Sequence, residues 1–227
     1  MKTSRRLLVG IIFSFLALAA STDLLAADQK NDKSEDGVPG GWGFGGFFGQ
    51  VSTAEPVPQG SIDIGPYVGF FEDANALFGR FAVGVISDMD VEVKSGVLDT
   101  EGSDDPQFMI GGGVKYRFLG RRQTSPDMAI SGFFEFYDVG EDATVWNIGT
   151  GLIGSFPIRL SNNSDLTPYG RLSMRVERLT YGDGDTDFDI GLNVGTQYSP
   201  GQRVQFLGEL QLDDQIGFIF GINFAVY

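Results

Sequence analysis

Two pairs of carboxylates stand two residues apart in this chain, Asp90/Glu92 and Asp187/Asp189, and the stretch GDGDTDFD places Asp183, Asp185, Asp187 and Asp189 at alternate positions. Paired carboxylates can divide acid and base roles between them, and oxygen ligands at alternating positions can hold a calcium ion. The helical calcium loop also requires Gly at its sixth position and Glu at its twelfth. Counted from Asp183 these are Phe188 and Val194, so that motif fails. Asp183, Asp185 and Asp187 are then a solvated acidic loop, with loose divalent-cation binding as the alternative. The chain has 0 His and 0 Cys. A His-based triad, a thiolate nucleophile, a disulfide and a Cys/His zinc site are all excluded. Gly41, Gly43 and Gly46 spell GxGxxG, but no strand pattern precedes them and no helical pattern follows, so they do not mark a dinucleotide site. No cofactor is expected. With a formal net charge of -14 the chain has no basic stripe for phosphates, and nucleic acid is not an expected partner.

The elements that would carry these carboxylates are strands. From Ser61 onward apolar residues recur at every second position: Ile62, Ile64, Pro66, Val68 and Phe70 against Ser61, Asp63, Gly65, Tyr67 and Gly69. Met89, Val91, Val93 and Val97 oppose Asp90, Glu92 and Lys94 in the same way, and Ile216, Phe218, Phe220, Ile222, Phe224 and Val226 oppose Gln215, Gly217, Gly221 and Asn223. Period two puts the two sets on opposite faces of a strand. The pattern predicts about ten strands of roughly nine to thirteen residues, the length that crosses a bilayer at a tilt. Both members of each carboxylate pair then share the polar face.

The charges confirm the phase. Arg80, Lys94, Lys115, Arg117, Arg171, Arg175 and Arg203, with Asp63, Asp90, Glu92, Glu135, Glu177, Asp187, Asp189, Glu209 and Asp213, all take the polar parity. Opposite charges among Gly, Ser and Asn suit a narrow polar lumen, in which the carboxylates balance Arg and Lys rather than act on a substrate. Phe78, Phe133, Tyr137 and Tyr169 share the inward parity and take up space there.

Alternation also fits a soluble, secreted β-sandwich binding module with its apolar face buried. Phe, Trp and Ile on almost every strand favour the other solution, an antiparallel transmembrane β-barrel with a polar lumen and a lipid-facing apolar exterior. The N-terminus agrees with export. Lys2, Arg5 and Arg6 precede the apolar run LLVGIIFSFLALAA, and small-residue cleavage sites follow at Ala17-Leu18-Ala19 or Leu25-Ala26-Ala27. This is the pattern of a secretory signal peptide. The expected organisation is residues 1–27 signal peptide, 28–60 a periplasmic linker with a Gly/Phe-rich lead-in, and 61–227 the barrel. Residues 41–51 either fold into the mouth of the barrel as a plug or add a strand.

The last residues, GINFAVY, carry a Gly, alternating hydrophobic positions and a terminal aromatic: Gly221, Phe224, Val226 and Tyr227. This end resembles the C-terminal insertion signal of Gram-negative outer-membrane barrels, and the resemblance to small members of that class covers residues 61–227. It implies outer-membrane lipid as surroundings and the barrel-assembly machinery as a partner. The function expected is that of a monomeric, non-enzymatic outer-membrane barrel with a structural or surface role or limited small-solute passage. A narrow cation-preferring channel is the alternative. Ten strands lie between the filled lumen of an eight-stranded barrel and the open channel of sixteen.

Overall fold

In the computed structural model, residues 48–100, 106–120, 125–140, 143–160, 163–180, 185–213 and 216–226 are described. Residues 1–27, expected to be a signal peptide, and residues 28–47, together with Asp183 and Tyr227, lie outside the described residues. The alternating segments form β1 (Ile62–Phe71), β2 (Ala74–Ile86), β3 (Met89–Thr100), β4 (Gln107–Leu119), β5 (Asp127–Gly140), β6 (Ala143–Ser155), β7 (Ile158–Arg159), β8 (Asp165–Thr180), β9 (Asp185–Ser199), β10 (Val204–Leu212) and β11 (Ile216–Val226). Each strand pairs antiparallel with its neighbour in sequence, except that the two-residue β7 folds back on the start of β8 and β6 pairs with β8 directly. β1 pairs with β11 from Ile62↔Val226 to Phe71↔Gly217, which closes ten long strands into a barrel. Closure leaves no sheet edge, the condition for placing strands in a medium that cannot hydrogen-bond.

The parity of the sequence sets the faces. Phe134, Ile148, Leu172, Ile190 and Phe224 are exposed on the outer surface, while Arg80, Asp90, Lys94, Glu135, Arg171 and Glu209 are buried inside. A sandwich would bury the first group; here the apolar girdle faces outward all round, as a lipid-facing surface does.

The barrel adds three features to the sequence pattern. β3, β5 and β8 extend to Thr100, Gly140 and Thr180, and near those ends Asp99, Asp138 and Arg178 face outward. They lie beyond the apolar girdle, where the alternation rule no longer applies. Between the long strands, β7 makes a small hairpin with Asp165 and Leu166. The lumen is also not polar throughout: Tyr67, Phe78, Leu98, Met109, Tyr137, Val145, Leu207 and Ile219 form an apolar cluster within it.

Inward glycines make room for inward aromatic rings. Tyr67 lies across from Gly221, Phe78 from Gly96, Phe133 from Gly149 and Tyr169 from Gly195. A Cβ at Gly221 would come within 2.0 Å of the Tyr67 ring, and one at Gly195 within 2.4 Å of the Tyr169 ring. The pairing of a ring with a bare strand position lets bulky groups lie flat against a narrow wall.

Candidate functional site

The lumen is the concave surface that a barrel provides, and the chain itself occupies it. Residues 48–59, immediately before β1, run inside the barrel. Phe48, Gln50, Val51, Ser52, Thr53, Ala54 and Val57 are all buried. The stretch contains Pro56 and Pro58 and no period-two pattern, so it offers no strand to a ladder. Its backbone groups are satisfied by side chains of the wall.

At the inner end of this segment, the backbone N–H groups of Gln50 and Val51 donate to Oε1 and Oε2 of Glu209 at 2.8 Å each. Glu209 also accepts from the Tyr169 hydroxyl at 2.5 Å and from Asn193 Nδ2 at 3.0 Å, and it is 0% exposed. The chain turns around this carboxylate with positive φ at Gly49 (61°) and Val51 (42°). A left-handed turn is unusual for a β-branched residue, and it aims successive N–H groups at one anion. Only Gly fits at position 49, because a Cβ there would lie 2.3 Å from Glu209 Oε1. Phe48 caps the segment: its ring meets Phe78 edge-on at 5.1 Å and stacks on Tyr137 at 6.1 Å, within the apolar cluster.

Four further wall residues hold the segment. Lys94 Nζ donates to the Gly49 carbonyl at 2.8 Å. Lys115 Nζ donates to Ser52 Oγ and to the Thr53 and Glu55 carbonyls at 3.0–3.2 Å. Asp90 Oδ2 accepts from Val57 N at 2.8 Å, and Ser155 Oγ accepts from Ala54 N at 3.2 Å. Gln59 then bridges to Gly84 in parallel, which seats the segment on the wall where β1 begins. These wall side chains lie 33 to 159 positions away in sequence, and they supply the pairing that buried backbone polar groups require.

The charges expected in the lumen fall into two networks. On β2–β4, Arg80 pairs with Glu92 at 2.7 Å, Lys94 with Glu92 at 3.0 Å and Lys115 with Asp90 at 3.1 Å. On β8–β9, Arg175 meets Glu177 at 3.7 Å and Asp189 at 3.5 Å, and it also bonds Asp213 just beyond β10. Arg171 lies with its guanidinium 4.2 Å over the Phe133 ring, and Glu135 accepts from the Tyr137 hydroxyl. Arg117 reaches down to Asp88 in the β2–β3 turn at 2.7 Å, at the rim rather than in the middle. Arg203 is exposed and lies just before β10, and Asp187 is exposed on β9.

The carboxylate pairs therefore hold cations. Asp90 and Glu92 are engaged by Lys115, Val57 N, Arg80 and Lys94, and Asp189 by Arg175. Of the loose cation candidates, Asp183 lies outside the described residues, the Asp185 side chain is not described and Asp187 is exposed. Among the described residues, no three acidic side chains gather where a metal could be held. Gly221, Phe224 and Val226 sit in the closing strand, Phe224 and Val226 facing outward and Gly221 under the Tyr67 ring.

What remains of the lumen is unevenly divided. Beside Phe48, Glu92, Phe133 and Arg171 only about 10 Å³ is left, the space of a single water. At the end where β1 begins and β11 finishes, a vestibule of about 690 Å³ opens between residues 52–58 and the walls of β8–β11 and β1. Of the stretch 41–51, for which the sequence offered a plug or an added strand, residues 48–51 lie inside the barrel and in no strand, and 41–47 lie outside the described residues; the course of residues 52–59, marked only by two prolines, the sequence did not supply.

No family model matches the sequence, and no curated protein matches it. Solved structures resemble it at low identity. The KdgM porin aligns at 10% identity over 73% of this chain and 99% of its own, with a TM-score of 0.41. The N-terminal β-barrel domain of Pseudomonas aeruginosa OprF aligns at 10% identity over 74% of this chain and 98% of its own, TM-score 0.37. The COG4313 outer membrane channel from Pseudomonas putida F1 aligns at 11% identity over 76% of this chain and 97% of its own, TM-score 0.34. At these scores no residue-level correspondence is carried over, and the functional reading rests on the barrel's own side chains.

Proposed function

We propose that this protein is an outer-membrane β-barrel without enzymatic activity, closed at rest by its own residues 48–59, that passes small polar solutes only when that segment shifts. The observation that carries the reading is the way the segment is held. Glu209, Lys115, Lys94, Asp90 and Ser155 satisfy its backbone, and Phe48 fills the apolar part of the lumen. The bonds are polar and reversible, so a resting barrier and a path that opens are both compatible with one fold. The resemblance of the C-terminal strand to an outer-membrane insertion signal supports the outer membrane as the location and the assembly machinery as a partner. The termini of the sheet then lie on the periplasmic side, which makes the vestibule periplasmic.

A cation-preferring channel is the second reading. Glu55 and Asp63 line the vestibule, whereas the cations there are paired, Arg80 with Glu92, Lys115 with Asp90 and Arg159 with Asp165. Planar-bilayer recording on refolded protein tests both. The parent is silent or nearly so, and the double variant Glu209→Ala/Lys115→Ala opens, with reversal potentials favouring cations at low salt. Steady conductance in the parent equal to that of the variant would contradict closure by residues 48–59.

A further inference from the structure

Asp63 presents a problem that the wall of the barrel does not solve. It is 6% exposed, and its cross-strand neighbours are Ala82 and Ala225, neither of which carries a side-chain donor. Its Oδ1 has no hydrogen-bond partner among the described residues. Burying a carboxylate without full satisfaction is unfavourable, and at the wall of an open cavity its bonding is completed by water or by a ligand hydroxyl that displaces that water. Asp63 lines the vestibule.

The rest of the vestibule narrows the ligand class. Its cations are already committed: Arg80 to Glu92 at 2.7 Å, Lys115 to Asp90 and to residues 52–55, and Arg159 to Asp165. An anionic ligand would find no uncommitted positive partner and would face Asp63 and Glu55. The remaining polar lining is uncharged and both gives and takes hydrogen bonds, with Gln197, Gln205, Asn223, Thr167, Ser199 and Thr53. Pro56, Pro58 and Pro157 supply flat C–H surfaces between them. A cavity of about 690 Å³ takes a ligand of one or two sugar rings.

We infer that the vestibule is a binding site for a small neutral saccharide. Asp63 accepts from its hydroxyls, Gln197 and Gln205 bridge others, and residues 53–58 form one wall. The chemistry is specific to a polyol: one spare carboxylate, several amides and hydroxyls, and apolar faces of pyrrolidine rings. The site does not depend on conduction, because it is assembled from the closed barrel. A saccharide seated there contacts the same segment that closes the lumen, so binding and closure share residues 53–58.

The full chain, refolded in detergent, tests this by titration calorimetry and saturation-transfer NMR with maltose, cellobiose and chitobiose, with spermidine and citrate as charged controls. At least one neutral disaccharide binds, and citrate does not. Asp63→Asn weakens that binding by at least about tenfold, the loss expected when charge-assisted bonds become neutral ones. This substitution keeps shape and removes a buried charge, so the barrel still folds. Gln205→Ala, two strands away across β11, weakens binding independently. Failure of every disaccharide to bind, spermidine binding alone, or saccharide binding undiminished in both variants would each overturn the assignment.

Discussion

The carboxylate of Glu209 on β10 accepts the backbone N–H of Val51 at 2.8 Å, across 158 positions of sequence. The same carboxylate takes the N–H of Gln50, the hydroxyl of Tyr169 and the amide of Asn193. Glu209→Ala strands all four donors in a dry site. The expected cost is about 2–5 kcal/mol, concentrated on residues 48–59: four stranded donors at about 1–3 kcal/mol each would cost more, but the space vacated by the side chain admits water to some of them. Glu209→Gln retains shape and an acceptor and loses less. Hydrogen exchange checks this: the amides of Gln50 and Val51 exchange faster in Glu209→Ala, while those of β3 and β4 change little. Unchanged protection at Gln50 and Val51 would show that the segment is held elsewhere.

The closing seam makes a separate prediction. Gly221 faces the ring of Tyr67, and any side chain there collides with it. Gly221→Val therefore impairs closure, read as loss of the mobility difference between boiled and unboiled protein on a gel. Tyr67→Ala frees the space, so the double variant recovers much of that difference, and the coupling is positive. Recovery separates a packing role from recognition of Gly221 by the assembly machinery, which Tyr67→Ala would not restore.

Much of the barrel was legible because one rule governs it. A strand between lipid and a lumen must alternate, so Phe134 outside and Glu135 inside follow from sequence, as do Arg80, Lys94, Arg171 and Arg175. The rule stops where the lipid does, which is why Asp99, Asp138 and Arg178 could face outward near the strand ends. It also says nothing about size on the lumen side. Leu98, Met109, Leu207 and Ile219 take the inward parity as readily as Asn or Ser, because Phe48 fills the space among them. Of the segment 48–59, the sequence offered only the plug as one of two alternatives for residues 41–51; the path of residues 52–59 was not legible. The side chains that bond its backbone are spread over four strands, β3, β4, β6 and β10, and no local periodicity encodes contacts of that range.

The outer face sets a third expectation. Phe134 is 44% exposed within the apolar girdle. Phe134→Arg costs roughly 2–4 kcal/mol if it lies near the bilayer midplane, whereas Phe134→Leu is nearly neutral. Folding yield into lipid vesicles, read by the gel-mobility difference, should fall sharply only for the Arg variant. Equal yields would place Phe134 away from lipid.

The central claim, that the chain fills its own lumen, is tested most directly by thiol protection at Val51. The natural sequence has 0 Cys, so a single introduced thiol reports alone. Val51→Cys is inside the barrel against Glu209, whereas Gln202→Cys is exposed in the turn before β10. With protein folded into vesicles permeable to a small water-soluble thiol reagent, Gln202→Cys reacts promptly, and Val51→Cys stays unreacted until the barrel is unfolded. Adding Glu209→Ala and Lys115→Ala to Val51→Cys restores reaction in the folded state. Reaction of Val51→Cys at the rate of Gln202→Cys in the otherwise native barrel would contradict the account.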